Sequence, residues 1–188
     1  ALLELESVSQ PFAHVLEANF SRPVFFDSAF ADTANCTLTY PDGSTVHPRY
    51  VYMGASSNKP QFYFDSIPAP EFTYKFACKY AKDSLSRMLD TLRDEVEWNW
   101  VEKASDTLDP VVAKTSLRSM TKSAFPGDTL VVAYNKPLDS LKETFHVAIN
   151  KDTVKVDMKR LDAIRFMAVP AEPWPTDAAV DFLMGYMD

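Results

Sequence analysis

The chain has 188 residues, a formal net charge of −7, and a composition that is 46% hydrophobic and 24% charged. That length fits a single domain, or one domain with arms, and the apolar content excludes global disorder. The acidic balance weighs against nucleic acid or an anionic membrane surface as a partner, and no apolar run is long enough to span a bilayer as a helix.

Residues 1–35 read as an N-terminal arm. An apolar start leads into aromatic turns around Pro11-Phe12, Arg22-Pro23 and Phe25-Phe26, and such a segment must pack on something rather than float in water. Residues 36–53 read as a hairpin. In Pro41-Asp42-Gly43 the proline presets φ and the glycine accepts a left-handed conformation. A three-residue loop there pairs Tyr40 with Ser44 and sets Leu38 opposite Val46. Residues 49–53 and 61–65 continue the strand-like pattern, with Tyr50, Tyr52, Phe62 and Phe64 as its aromatic members.

Residues 71–104 hold the clearest helical spacing. Leu85, Met88, Leu89, Leu92, Val96 and Trp100 fall on one helical face, with Lys79/Asp83, Asp83/Arg87 and Arg93/Glu97 as opposite charges four apart. Within this stretch, Val96 to Trp100 also alternates with period two, as a strand does. No Gly or Pro separates it from the rest, so the helix is extended through it. A shorter helix is expected from Pro110 to about Ser123, with Asp109 as its cap and Ala113, Leu117 and Met120 facing inward.

Strands resume at Thr129–Tyr134. A second hairpin is expected from Thr144–Ile149 and Thr153–Met158 around a type I turn at Asn150 to Thr153. That register pairs Ile149 with Val154, Val147 with Val156 and Phe145 with Met158, all apolar on one face. Ile164 to Val169 can add a strand. Residues 170–188 then form a C-terminal arm. Pro170, Pro173 and Pro175 keep it extended around Trp174, and Thr176 caps a final helix. The expected class is therefore α+β: antiparallel β-hairpins packed with one long and one or two short helices. Its body spans 36–169, between arms at 1–35 and 170–188.

Signatures of catalysis are scarce. Only 4 glycines are present, where average usage gives roughly thirteen, and no P-loop or G-x-G-x-x-G can be drawn from them. His14, His47 and His146 are far apart, without a metal-ligand spacing, and there is no G-x-S-x-G elbow. The expected hairpin register sets His146 opposite Asp157, a geometry open to general acid–base chemistry but more simply a solvent-facing cross-strand pair. Asp94, Glu95 and Glu97 fit a solvated face better than a glycosidase pair. No catalytic residue, cofactor or metal ligand is assigned. Lys114, Arg118 and Lys122, four apart on the short helix, form a basic stripe able to contact an anion. Cys36 and Cys78 have no paired spacing and read as buried free thiols of a reducing compartment, a disulfide being the other reading.

One stretch resembles a known family. Phe125-Pro126-Gly127-Asp128-Thr129-Leu130 is similar to the F-P-G-D-T-L segment of MaoC-like hot-dog hydratases. The resemblance implies an enzyme acting on acyl-CoA thioesters, although that family's Asp and His active-site segment has no match in this chain.

These readings favour a non-enzymatic structural or assembly subunit of a larger particle, such as a virion, working in the cytoplasm or in that particle. No charged region followed by an apolar core opens the chain, so no signal peptide is read. The expected partners are other protein subunits, in a homo- or hetero-oligomer. They would meet Trp174 and the apolar residues Val180, Phe182, Leu183, Tyr186 and Met187 of the final helix, whose apolar face is too wide to lie exposed. The alternatives are an acyl-thioester enzyme, or a peptide- or ligand-binding module using the aromatic strands.

Overall fold

The structure, a computed structural model, describes residues 1–65, 72–99, 112–115, 123–124, 130–138, 145–149, 152–154, 156–174 and 178–184. The chain forms two compact units, Ala1–Asp109 and Pro110–Asp188.

Unit 1 contains the strands β1 (Leu5–Phe12), β2 (Val15–Phe20), β3 (Cys36–Thr39), β4 (Thr45–Val46), β5 (Tyr50–Met53), β6 (Pro60–Tyr63), β7 (Thr73–Cys78) and β8 (Glu95–Asn99). They make two four-stranded sheets, ordered β1-β2-β6-β5 and β4-β3-β7-β8. Every pairing between these strands is antiparallel. The strands form where side chains alternate. In β7, Tyr74, Phe76 and Cys78 are buried while Thr73 and Lys75 are exposed. In β8, Val96 and Trp98 turn inward while Glu95, Glu97 and Asn99 face water. The two inner faces meet in one core, where Phe62 of β6 and Phe76 of β7 lie edge to face at 4.7 Å.

A single helical turn, α1 (Ser28–Ala31), delivers Phe30 into that core. Asp27 caps it, accepting from the Phe30 N–H at 2.9 Å. The Phe30 ring then meets Phe20, Phe26 and Phe62 edge-on at 6.1, 5.9 and 6.2 Å. Residues 1–35, read from the sequence as an arm, thus contribute β1, β2, α1 and the core side chains Leu3, Leu5, Leu16 and Phe30. This strand order is that of an immunoglobulin-type sandwich, with the first, second, fifth and sixth strands in one sheet and the rest in the other.

The expected hairpin at 36–53 is present in its expected register. Leu38 faces Val46, and the Tyr40 N–H donates to Ser44 O at 2.8 Å. Gly43 has φ +87°, a value that favours glycine.

Unit 2 contains β9 (Val112–Thr115), β10 (Ser123–Ala124), β11 (Leu130–Tyr134), β12 (Phe145–Ile149), β13 (Asp152–Val154), β14 (Val156–Arg160), β15 (Arg165–Pro170) and β16 (Ala178–Met184). Its sheets are ordered β14-β15-β11-β9 and β10-β16-β12-β13, again antiparallel throughout. With β10 set aside, the remaining strands follow the same order as the first seven of unit 1. The two-residue β10 stands beside β16, where unit 1 has its eighth strand. In the first of these sheets Val132, Tyr134 and Phe166 are buried together, with Leu138 and Met158 against them.

The α+β expectation is overturned. Among the described residues the only helical segments are α1 and a 3-10 turn at Thr33–Asn35. The long helix is replaced by β7, a looped segment 79–94, and β8. Tyr80 and Ser86 take φ of 60° and 58°, which a right-handed helix cannot contain. Leu89 is buried, but Leu92 is 91% exposed rather than a core residue. The short helix from Pro110 is replaced at its described positions by β9 and β10, and the terminal helix by β16.

The second hairpin is shifted by two residues. Ile149 pairs with Asp152, Ala148 with Thr153 and Val147 with Val154. A shift of two keeps the same side chains on the same face, but β14 then leaves to pair with β15.

Candidate interaction surface

The segment that joins β7 to β8 is held by a dense set of hydrogen bonds. Asp83 is its hub. The side chain is almost fully buried, and its carboxylate accepts from the Leu85 and Arg87 N–H groups at 2.9 and 3.0 Å. It also accepts from Arg87 Nε at 2.6 Å and Arg22 Nε at 3.0 Å. Burial alone would raise its pKa, but these four donors outweigh it and hold the carboxyl down at about 2. The sequence pairing of Asp83 with Arg87 is therefore real, although it closes a turn rather than a helix. Local side-chain bonds of this kind compete with helix formation.

Backbone bonds fasten the same segment to the N-terminal residues. The Leu3 N–H donates to Met88 O at 3.0 Å, the Asp90 N–H to Leu3 O at 2.8 Å, and the Phe25 N–H to Lys82 O at 2.8 Å. Arg93 pairs with Glu4 at 2.6 Å, not with Glu97. That bond raises the Arg93 pKa. Lys82 reaches Asp27 at 2.7 Å, and its bond to that carboxylate lowers the Asp27 pKa.

This polar frame fixes two classes of apolar side chain. Ala81, Leu89 and Leu3 point into the core. Leu2, Phe25, Tyr80, Leu85, Met88 and Leu92 stand out from it, Leu85 at 71% and Leu92 at 91% exposure. Scattered surface leucines are ordinary, but here six large apolar groups are exposed on segments joined by one set of hydrogen bonds. The sequence carries the signal, in the apolar stripe of Leu85, Met88, Leu89 and Leu92. The helix assignment turned the stripe inward.

The residues singled out from the sequence are dispersed. Trp174 is buried. Val180, Phe182 and Leu183 lie in β16, opposite Ile149, Val147 and His146. Tyr186 and Met187 lie outside the described residues. Lys114 lies in β9 opposite Ala133, while Arg118 and Lys122 lie outside the described residues, as do Leu117, Met120, Trp100 and residues 125–129 of the hydratase-like stretch. The expected register that set His146 opposite Asp157 is not the observed one: His146 lies opposite Leu183 and Asp157 opposite Val169.

Two of the three histidines bond to the backbone. The His14 Nδ1–H donates to Phe64 O and the His47 Nδ1–H to Cys36 O, each at 2.7 Å. Tyr52, Phe62 and Phe64 are core residues, while Tyr50 packs against Tyr63 and Arg49. Among the described residues no three His, Cys, Asp or Glu side chains gather as a metal site, and no helix is long and apolar enough to cross a membrane.

No family model and no curated protein matches the chain. Among solved structures it is similar to the N-terminal part of the bacterial S-layer protein SbsC, with a TM-score of 0.45 and 14% identity over 97% of this chain. A structure of domains 1–6 of the surface layer protein SbsC gives a TM-score of 0.44 and 17% identity over 96% of this chain. The chain spans 44% and 25% of those two structures.

Proposed function

We propose that this chain is a non-enzymatic structural module that joins other protein subunits through the apolar surface of unit 1. The observation that carries the reading is the exposure of Leu85 and Leu92 on a frame already riveted by Asp83, Arg22 and Arg87. A rigid frame holding apolar groups in water loses little conformational entropy when it binds. The two backbone-bonded histidines and the buried Asp83 hub are occupied in holding strands and loops together, which fits a scaffold better than a reaction centre.

The simplest partner is a second copy of the chain, and mass in solution tests it. Light scattering across a concentration series should show species above the 21.2 kDa of one chain. The double variant Leu85→Asp/Leu92→Asp should shift the series towards the single-chain mass while unfolding at the same denaturant concentration, because both sites are exposed. A wild-type protein that keeps the single-chain mass at every concentration would overturn the reading.

A further inference from the structure

Cys36 of β3 and Cys78 of β7 are register partners in the antiparallel sheet. Both are fully buried, both belong to the same core, and both are free thiols. Their main-chain groups turn away from each other. The Cys78 N–H donates to Asp94 O at 3.1 Å, on the β8 side, and the Cys36 carbonyl accepts from His47 Nδ1. The next pair outward carries the ladder bond, with the Lys79 N–H donating to Asn35 O at 2.9 Å. Cys36 and Cys78 therefore occupy a non-hydrogen-bonded position, where opposed Cα atoms approach to about 4.5 Å and side chains lie closest. That separation falls within the roughly 4.4–6.8 Å across which disulfides form.

We propose that Cys36 and Cys78 are a dithiol pair that closes into a cross-strand disulfide, fastening β3 to β7. The oxidant is a disulfide of the glutathione class. One cysteine thiolate attacks its S–S bond, forming a mixed disulfide and expelling one glutathione thiolate. The second cysteine thiolate then attacks the protein-bound sulfur and expels the other. The protein loses two electrons and two thiol protons, the protons pass to the expelled thiolates, and the oxidant is reduced to two thiols. Closure belongs to folding rather than to the folded state. Burial pushes the Cys78 thiol well above its ordinary range, with a bond to Cys36 adding to the effect. The core also shuts out a bulky oxidant, so the reduced folded pair is inert.

The test compares two treatments of the same chain with a mixture of oxidised and reduced glutathione. Protein refolded from denaturant in that buffer should show an intact mass lower by two hydrogens, and a non-reduced digest should link the peptides holding Cys36 and Cys78. Protein exposed to the buffer only after folding should keep both thiols. The linked form should melt higher, by on the order of ten degrees for the loop closed between these positions. A Cys36→Ala/Cys78→Ala variant should gain nothing from oxidative refolding, and a Cys36→Val/Cys78→Val variant serves if alanine leaves too large a void. Reduced thiols or glutathione adducts after oxidative refolding, or a linked form that melts lower, would overturn the proposal. Rapid linkage in the folded protein would overturn its restriction to folding.

Discussion

Leu89 and Leu92 sit three residues apart and would share a face on a helix, yet the structure gives them opposite fates. Leu89 is 8% exposed, its N–H donates to Ala81 O at 2.9 Å, and its backbone bridges Leu3. Leu89→Ala removes three carbons from the core. At about 0.8 kcal/mol per methylene this costs about 2 kcal/mol in transfer, and incomplete collapse of the cavity brings the total to about 2–4 kcal/mol. For a unit of this size the loss should lower the melting temperature by on the order of 10–20 °C. Leu92 is 91% exposed, so Leu92→Ala should move stability by no more than about 0.5 kcal/mol. Urea unfolding followed by far-ultraviolet circular dichroism measures both variants on one scale. Equal and large losses would restore a helical face through 85–92 and refute the looped segment. A harmless Leu89→Ala would remove Leu89 from the core.

Two further substitutions probe local devices of unit 1. Asp83 has its folded pKa lowered from 3.8 to about 2, so its contribution to stability is fully present above about 4 and is lost as pH falls towards about 2. Asp83→Asn should destabilise the protein at neutral pH and flatten that acid limb; an unchanged profile of unfolding midpoint against pH 2–5 would show that the hub is not titrating there. Gly43 has φ +87° and nothing within 4 Å of where a Cβ would sit, so Gly43→Ala should cost about 1 kcal/mol from backbone strain alone. A stabilised Gly43→Ala variant in the same urea assay would mean that the turn is not left-handed.

What was legible in the sequence was legible where a turn has its own chemistry. Pro41-Asp42-Gly43 fixes both the place and the register of its hairpin, because Gly43 supplies the conformation that the loop needs and Leu38 and Val46 then fall on the inner face. The second hairpin lacked such a residue. Asn150-Lys151 and Asn150 to Thr153 give turns that differ by two residues, and a shift of two leaves every apolar side chain on its own face. Hydrophobic pattern cannot choose between those registers. The choice rests with β14, which pairs with β15 instead of extending the hairpin.

The missed strands share one physical cause. Short apolar stretches carry both periods at once, and tertiary pairing decides between them. Val96 and Trp98 alternate with Glu95 and Glu97 as a strand requires, and β7 offers the partner that makes the strand the better solution. Val180, Phe182, Leu183 and Met184 read as a helix apolar over most of its circumference. In β16 the same run lies between β12 and β10, so pairing with two neighbours, and not the helical spacing, decides its conformation. The shared strand order of the two units was invisible for a related reason. It resides in which strands pair, and pairing leaves no residue-by-residue repeat in a chain whose turns and strand lengths differ between the units. Sequence alone nevertheless pointed to contact by apolar side chains. Among the described residues, exposed apolar side chains gather on the 79–94 frame. There Asp83, by closing a turn instead of extending a helix, leaves Leu85 and Leu92 facing water.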